Sequence, residues 1–273
     1  MIARQTNTCD VEAALARSAA YGLIATLLRY PDEELVGTLT DSPQWSATRG
    51  SIATSLPALL PHFDAIDHEF QRGGDAPRAS ESLGDTYNEL FGHAVRGSCP
   101  LYELEYSQAD ILQRASDLAD ITGFYQAFGL ELADQAAERP DHATVECEFM
   151  TVLTAKHVHA LEADDEDACG IVSDAQRSFL ADHMAHWFPA FGQRLIDADP
   201  NGFYGLVGQF VRTFVRLECD LLDVPCGPSL LELGPVDPKQ DREIECGVEL
   251  SCPGAGAGAA GQQPLVQLGI DQS

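Results

Sequence analysis

Apolar residues recur every three or four positions along most of the chain up to about residue 224, which is the spacing of helices. The last of these segments shows the pattern most clearly, with apolar side chains about one turn apart: Leu206, Phe210, Phe214, Leu217 and Leu221. No alternation of period two, which would indicate half-buried strands, stands out. The sequence therefore predicts an all-α protein with one large helical domain over residues 1–224.

Cap and stop residues predict where several of these helices begin and end. Small polar residues before apolar runs indicate helix N-caps, here Ser80 or Ser82, Ser107 and Asn201. One further helix is expected to begin near Ser173, after an acidic linker, and Pro189 is expected to kink or split it.

The composition changes after Pro225, where Gly, Pro, Gln and Asp become frequent. Such a composition cannot bury enough apolar surface to offset the entropy of ordering the chain. We therefore expect residues 225–273 to form a flexible, low-complexity tail that contains cysteines.

The charge balance is extreme, with 43 acidic against 16 basic residues and a formal net charge of −27. The chain contains only two lysines, Lys156 and Lys239. A surface of this kind opposes binding to nucleic acid or to an anionic membrane, so neither is an expected partner. Acidic, lysine-poor surfaces are typical of proteins from halophiles, and we expect a halophilic archaeon as the source.

The N-terminal residues show no apolar segment followed by a small-residue cleavage site, and no apolar run approaches the roughly 18 residues that span a bilayer. The expected location is the cytoplasm, without stable membrane insertion. In that compartment the eight cysteines are expected to be thiols.

Common enzyme motifs are missing from the sequence. It contains no phosphate-binding loop G-x-x-x-x-G-K-[ST], no G-x-G-x-x-G that follows a predicted strand, no G-x-S-x-G and no H-E-x-x-H, and the long helices lack E-x-x-H pairs. The sequence thus predicts neither catalytic residues nor a cofactor.

Two groups of residues have the side chains of a metal site. His183 and His186 are three positions apart and are expected on one helix face, although the neighbouring Trp187 favours a structural role. Four cysteines near the C-terminus could bind zinc or an iron–sulfur cluster, namely Cys219, Cys226, Cys246 and Cys252. Their spacings are looser than those of zinc knuckles, so no metal is predicted, and a metal-binding or redox protein stays an alternative.

The stretch ERPDHATVECEFM, residues 138–150, begins a long predicted helix. Pro140 suits the first helical position, and Asp141 complements the positive end of the helix dipole. His142 adds nothing to such a cap, and a neutral His142 beside a carboxylate could accept hydrogen bonds from a ligand or a peptide. The residues alone leave a structural and a functional interpretation open.

Four stretches of the chain carry a resemblance to a known family: YNELF (87–91), CPLYELEY (99–106), ERPDHATVECEFM (138–150) and FLADHMAHWFPAF (179–191) with the FYGLVGQFVRTFV that follows. In this order they resemble the TorD/DmsD/NarJ family of redox-enzyme maturation chaperones, which are cytoplasmic and all-helical. The E-x-P-D-H signature is the most specific of the four, and the resemblance covers roughly residues 10–224.

The resemblance implies a chaperone that binds the twin-arginine signal peptide of a molybdopterin oxidoreductase and assists cofactor insertion into the apoenzyme before export. The implied client is a dimethyl sulfoxide or trimethylamine N-oxide reductase, and a NarJ-like nitrate reductase assembly chaperone is the alternative. The residues that the family associates with signal-peptide binding correspond here to Leu90, Phe91, Pro100, Asp141 and His142, with Tyr87 beside them.

The chemistry of a signal peptide, which has an apolar stretch and two arginines, adds Leu101 and either Glu103 or Glu105 to the residues implied by the resemblance. Tyr87, Leu90, Phe91 and Leu101 are expected to offer an apolar groove for the peptide. Asp141, together with Glu103 or Glu105, is expected to accept charge-assisted hydrogen bonds from the peptide's guanidinium groups.

Overall fold

The computed structural model describes residues 2–73, 76–92, 96–132, 138–235 and 266–268. These residues are largely helical, which confirms the predicted all-α class. None of the described helices is long and apolar enough to cross a membrane. The α-helices are α1 (Ile2–Leu27), α2 (Glu33–Asp41), α3 (Pro43–Ser55), α4 (Leu60–Arg72), α5 (Ala76–Phe91), α6 (Ile111–Ala127), α7 (Ala143–Glu162), α8 (Glu166–Phe179), α9 (Ala185–Ala198) and α10 (Phe203–Leu222). Short 3-10 turns cover Pro57–Leu59 and Glu103–Tyr106, a π-helical turn covers Leu180–Met184, and two short strands are β1 (Leu130–Leu132) and β2 (Val266–Leu268).

Helix α7 lies at the centre of the fold, with α1 and α8 packed against it, while α9 packs against α10. A helix that is apolar all round belongs in a core, and α7 buries residues on successive positions: Ala143, Val145, Cys147, Phe149, Met150 and Leu153. Large aromatic side chains fill the rest of the interior, among them Trp187, Tyr21 and Tyr204, each at most 1% exposed. The site described below is built at the N-terminal end of this central helix.

A buried ion pair joins α1 to α10. Nε and Nη2 of Arg17 each donate to one oxygen of Glu218 at 2.7 Å, and the hydroxyl of Tyr21 donates to the same carboxylate at 2.8 Å. Both charged side chains are at most 5% exposed. Because each carboxylate oxygen is hydrogen-bonded, the cost of burying these charges is offset within the pair.

The predicted N-caps of α5 and α6 are wrong. Ser80 and Ser82 lie inside α5, and the Ser80 hydroxyl donates to the carbonyl of Pro31 at 2.7 Å. Ser107 follows the 3-10 turn, and α6 is capped by Asp110, which accepts from two backbone amides at 3.0 Å. A sequence with several small polar residues before an apolar run does not show which of them caps the helix.

The predicted starts of α8 and α10 are also wrong. Ser173 lies in the middle of α8, whose N-cap is Asp165, so most of the acidic linker is helical. Asn201 does not cap α10, since the carboxylate of Asp199 accepts from the amide of Tyr204 at 3.0 Å instead. Acidic residues in the first turn of a helix are stabilised by its dipole, which explains why the acidic stretch forms the start of α8.

Pro189 does not split its helix, as residues on both sides of it are helical. The irregularity lies one turn earlier, in the π-helical turn Leu180–Met184 that joins α8 to α9. Pro189 has no N–H, so the carbonyl of Ala185 lacks its usual partner within the helix. The backbone N–H of Gly227 donates to that carbonyl at 2.9 Å.

The packed part of the chain extends beyond the predicted boundary at residue 224. Residues 225–235 run along the helical domain, with Leu231 and Leu233 packed against the core. The packed region therefore extends eleven positions beyond the predicted boundary. Long-range contacts that a composition does not reveal hold them in place.

Two short strands form the exception to the all-helical prediction. β1 pairs antiparallel with β2, with Leu130 opposite Leu268 and Leu132 opposite Val266. The remainder of the predicted tail, residues 236–265 and 269–273 with Cys246 and Cys252, lies outside the described residues.

Candidate functional site

Two of the stretches singled out in the sequence are paired through their backbones at the start of α7. Tyr102 and His142 form an antiparallel bridge. The N–H of Glu103 donates to the carbonyl of Asp141 at 2.9 Å, and the N–H of Ala143 donates to the carbonyl of Leu101 at 2.8 Å. These bonds fix the acidic corner of α7 against the segment after Pro100.

The end of α5 joins the same arrangement. The N–H of Cys99 donates to the carbonyl of Leu90 at 2.9 Å, and the N–H of Gly97 donates to the carbonyl of Phe91 at 3.3 Å. A Cβ at position 97 would lie 2.2 Å from the carbonyl oxygen of Leu90, so this close approach requires glycine. The hydroxyl of Tyr106 donates to the carbonyl of Pro100 at 2.9 Å. The backbone thus brings all the predicted site residues into one region.

The apolar members of the predicted site do not form an exposed groove. Leu90, Phe91 and Leu101 are 4%, 8% and 5% exposed and belong to the core. The ring of Phe91 lies 5.2 Å from that of Tyr204, and Tyr87 is half buried beside it. These side chains are therefore packed into the core in this structure, where the rings of Tyr87 and Phe91 contact Tyr204 of α10, and they leave no apolar groove between them.

Asp141 is fully buried and already has a guanidinium partner within the chain. Its two oxygens accept from Nε and Nη2 of Arg139 at 2.9 and 2.7 Å, and one of them also accepts from the N–H of Leu104 at 3.2 Å. Asp141 was expected to accept hydrogen bonds from guanidinium groups of a peptide, but here its guanidinium partner is Arg139 of the same chain. Its carboxylate has no free side to offer to a peptide.

His142 is the N-cap of α7, contrary to the expectation that it contributes nothing to a cap. Its Nδ1 accepts from the N–H of Thr144 at 3.2 Å. Burial lowers the pKa of His142, and the carboxylate of Glu138 offsets this only in part. The ring is therefore neutral, and since Nδ1 is an acceptor, the proton is on Nε2, which lies 3.7 Å from Oε2 of Glu138.

The accessible part of the site is formed by three residues that the sequence did not single out for a role. The hydroxyl of Tyr102 donates to the carboxylate of Glu138. The guanidinium of Arg139 lies over the Tyr102 ring, 4.4 Å from its centre, while it binds Asp141. The side chains of Glu138 and Arg139 are 33% and 31% exposed. Glu138 was visible in the E-x-P-D-H signature, but no spacing rule shows that it, and not Asp141, faces outward.

Behind these residues lies a second group of titratable side chains. Nδ1 of His183 lies 3.3 Å from the carboxylate of Glu103, and its Nε2 lies 3.3 Å from Asp120. Burial alone lowers the pKa of His183, but the hydrogen bond and charge of Glu103 outweigh it, so that the pKa is raised. Burial raises the pKa of Glu146 well above its usual range, and the charge of Glu103 raises it further. The carboxyl of Glu146 accepts a hydrogen bond from the indole N–H of Trp187 at 3.2 Å.

The candidate metal ligands that the structure describes, His183, His186, Cys219 and Cys226, are not arranged for coordination. His183 is buried and His186 is exposed, so the two do not share a face. Cys219 is buried, and burial together with the neighbouring thiol of Cys226 raises its pKa to about 12, which opposes thiolate formation. Among the described residues no group of three or more His, Cys, Asp or Glu is placed to bind a metal ion.

Comparisons with known proteins agree with the family resemblance. The family model described as "Nitrate reductase delta subunit" matches residues 51–193. A perchlorate reductase assembly chaperone of Dechloromonas aromatica is 29% identical over 230 residues, which covers 82% of this chain and 94% of that protein. A selenate reductase assembly chaperone of Thauera selenatis is 36% identical over 166 residues, 60% of this chain and 83% of that protein. The chaperone TorD of Vibrio cholerae is 22% identical over 149 residues, 55% of this chain and 66% of that protein.

Proposed function

Since the chain belongs to the TorD/NarJ family of redox-enzyme maturation chaperones, we propose that it binds the twin-arginine signal peptide of an apo-reductase in the cytoplasm and assists cofactor insertion before export. Its relatives are assembly chaperones and not catalysts, and the chain acts in the same way, on a reductase. The structure of the site suggests how a peptide arginine is recognised.

The client that we propose is a molybdopterin-containing reductase of an oxyanion. The relatives of higher identity are named for perchlorate and selenate reductases, and the family description names nitrate reductase. Relatives named TorD are less similar, at 22% identity, so a trimethylamine N-oxide or dimethyl sulfoxide reductase is the less favoured client.

One observation carries the proposed peptide site: this corner of the fold already binds a guanidinium. Arg139 lies between the carboxylate of Asp141 and the ring of Tyr102, which is the combination of charge and aromatic face that suits arginine. Because Asp141 is saturated by Arg139, a second guanidinium from a peptide requires another carboxylate.

Glu138 is the carboxylate that we assign to the peptide. It is partly exposed, the hydroxyl of Tyr102 donates to its Oε2, and Nε2 of the neutral His142 ring lies 3.7 Å from the same oxygen. A carboxylate that accepts one hydrogen bond through a single oxygen keeps lone pairs free for another donor. In this scheme the buried Asp141 and Arg139 shape the site, while Glu138 makes the contact.

Calorimetric titration with a synthetic signal peptide tests this assignment. The peptide is a twin-arginine signal sequence of a molybdopterin-containing oxyanion reductase, and a second peptide carries lysine in place of both arginines. Glu138→Gln should weaken binding of the arginine peptide at least tenfold, whereas Glu166→Gln, an exposed position at the start of α8, should leave it unchanged. The lysine peptide should bind wild type and Glu138→Gln with similar affinity, because lysine cannot form the bidentate pair.

The two peptides also identify a wrong assignment. If replacing the peptide's arginines by lysine lowers the affinity for wild type and for Glu138→Gln by the same factor, the arginines bind a different carboxylate. No binding of either peptide to the wild-type chain would contradict the proposed function itself.

A further inference from the structure

After α10 the chain reverses direction and runs back over the helical domain as residues 227–234, here called the strap. The reversal occurs at Asp223, which has a left-handed φ of 53°, and the N–H of Val224 donates to the carbonyl of Cys219 at 2.9 Å. The strap contains neither helix nor strand. Its path along α9 leads to the 3-10 turn that carries Glu103.

Burial along the strap alternates from residue to residue. Positions 227, 229, 231 and 233 are half buried, and positions 228, 230 and 232 are exposed. A period of two is the signature of an extended chain that lies with one face on a surface. Leu231 and Leu233 pack against the core on that face, while Leu230 is 76% exposed. The strap thus lies in a groove like a bound extended peptide.

The groove binds the backbone of the strap. Nη2 of Arg194 donates to the carbonyl of Leu231 at 2.7 Å, and Nη1 of Arg96 donates to the carbonyl of Gly234 at 2.8 Å. The side-chain amide of Gln108 lies 3.2 and 3.3 Å from two further strap carbonyls. Donors that bind carbonyl groups do not select side chains, so the same groove can accept another extended chain with apolar residues two positions apart.

This groove begins next to the site assigned to the peptide arginines. The N–H of Gly234 donates to the carbonyl of Glu105 at 2.7 Å, and Arg96 bridges the strap to the Glu105 side chain at 2.8 Å. Glu105 and Glu103 share one 3-10 turn, and the backbone of Glu103 is bonded to that of Asp141. A chain whose charged end binds at the acidic corner can therefore continue into the groove within a few residues.

We propose that the strap is an intramolecular occupant of a groove that receives the apolar stretch of the client's signal peptide, and that the peptide displaces it. This inference rests on the proposed function, since a signal peptide carries two arginines followed by an apolar stretch. The strap satisfies the backbone-binding side chains of the groove and covers its apolar floor while no client is present. Only two leucines of the strap pack on the core, both half buried, so a longer apolar peptide can compete with it.

The test uses the full chain and, as the probe, a fluorescein-labelled peptide of the strap sequence, GPSLLELG. Leu231→Ser/Leu233→Ser removes the two side chains that hold the strap, and Leu230→Ser is the matched control at an exposed position. The labelled peptide should bind the double variant at least tenfold more tightly than it binds wild type or the control, because the groove is then vacant. Gly234→Ala is a second way to release the strap, since a Cβ there would lie 2.3 Å from the carbonyl oxygen of Ser107.

The signal peptide is then titrated into the same variants. It should also bind the released variants at least tenfold more tightly than wild type and the Leu230→Ser control. The inference is overturned if the strap peptide binds neither Leu231→Ser/Leu233→Ser nor Gly234→Ala while both variants keep the helical circular dichroism of wild type. The inference is also overturned if the signal peptide binds wild type and all variants with the same affinity. That result would not contradict the proposed function. If the strap peptide binds the released variants but the signal peptide binds none, the proposed function fails and only a groove for extended chains remains.

Discussion

The imidazole of His142 faces Glu138 because its other nitrogen caps α7. Nδ1 accepts from the amide of Thr144, and Nε2 lies 3.7 Å from the Glu138 carboxylate. One side chain thereby links the start of the central helix to the accessible acid of the candidate site. The two roles can be separated by substitution.

His142→Asn and His142→Ala are expected to differ in stability but not in peptide binding. Asparagine is a good N-cap residue, whereas alanine leaves the first amides of α7 without a partner and should cost about 1–2 kcal/mol of unfolding free energy. Neither variant can hold Glu138, so both should weaken signal-peptide binding. Urea unfolding and calorimetry on the same samples measure the two effects. Wild-type affinity in His142→Asn would show that the ring does not position Glu138.

Asp141→Ala should destabilise the protein by about 2–4 kcal/mol, because it leaves the Arg139 guanidinium and a buried amide without their acceptor. Asp85→Ala, at an exposed position of α5, is the control and should change the free energy of unfolding by less than about 0.5 kcal/mol. Thermal or urea unfolding measures both. A cost below about 1 kcal/mol for Asp141→Ala would indicate that the carboxylate is exposed in solution.

Arg17→Met should cost about 3–5 kcal/mol of unfolding free energy, since it leaves Glu218 as an unpaired buried charge. The exposed pair of Arg49 and Asp64 has a similar N–O distance, 2.8 Å, and Arg49→Met should destabilise the protein far less than Arg17→Met, because solvent screens an exposed pair. Urea unfolding of the two variants compares the same substitution at a buried and an exposed pair. Similar costs would contradict the tight packing of α1 on α10.

Glu148→Gln should stabilise the protein at high pH and have little effect at low pH. Burial raises the pKa of Glu148 to about 7, and the charge of Arg29 only partly opposes this. In the unfolded chain the carboxyl titrates near pH 4.3. Between these values the folded state holds a proton that the unfolded state has lost, so protonation favours the folded state at low pH, and this contribution is lost as the pH rises through about 7.

The expected gain for Glu148→Gln above pH 8 is about 1–2 kcal/mol, because solvent at the partly exposed side chain screens the cost of ionisation. Glu162→Gln, at an exposed position of the same helix, serves as the control and should show no such pH dependence. Unfolding free energies measured from pH 5 to pH 9 provide the test. A constant difference between Glu148→Gln and wild type would mean that Glu148 is ionised throughout.

The sequence predicted the helical class and the grouping of the site residues, but not which of them are exposed. Spacing identified the helices because apolar periodicity is a local property. Whether Asp141 faces solvent depends on its pairing with Arg139 and on the 3-10 turn that carries Glu103, and such contacts between distant segments leave no periodic signal. The outward position of Glu138 could not be predicted for the same reason.

The strap was missed on similar grounds. Its composition resembles that of a flexible tail, and its polar contacts come from Arg194 and Arg96, which are far from it in sequence. The helical caps were missed for a local reason, since Asp110 and Ser107 are both suitable caps and the choice between them depends on where the preceding 3-10 turn ends.

Pro189 gives α9 a property that helices normally lack. The interior of a helix has no free backbone acceptor, so it cannot pair with a neighbouring chain as the edge of a sheet does. In α9, Pro189 has no N–H and so leaves the carbonyl of Ala185 free to accept from outside the helix. The backbone N–H of Gly227 donates to it, as in one hydrogen bond of a β-ladder. A Cβ at position 227 would lie 2.5 Å from that carbonyl oxygen, so only glycine fits. Any polypeptide that replaces the strap along its full length must therefore have a glycine at the position of Gly227. The carbonyl of Ala185 thus selects for glycine, although it is a backbone group that binds a backbone group.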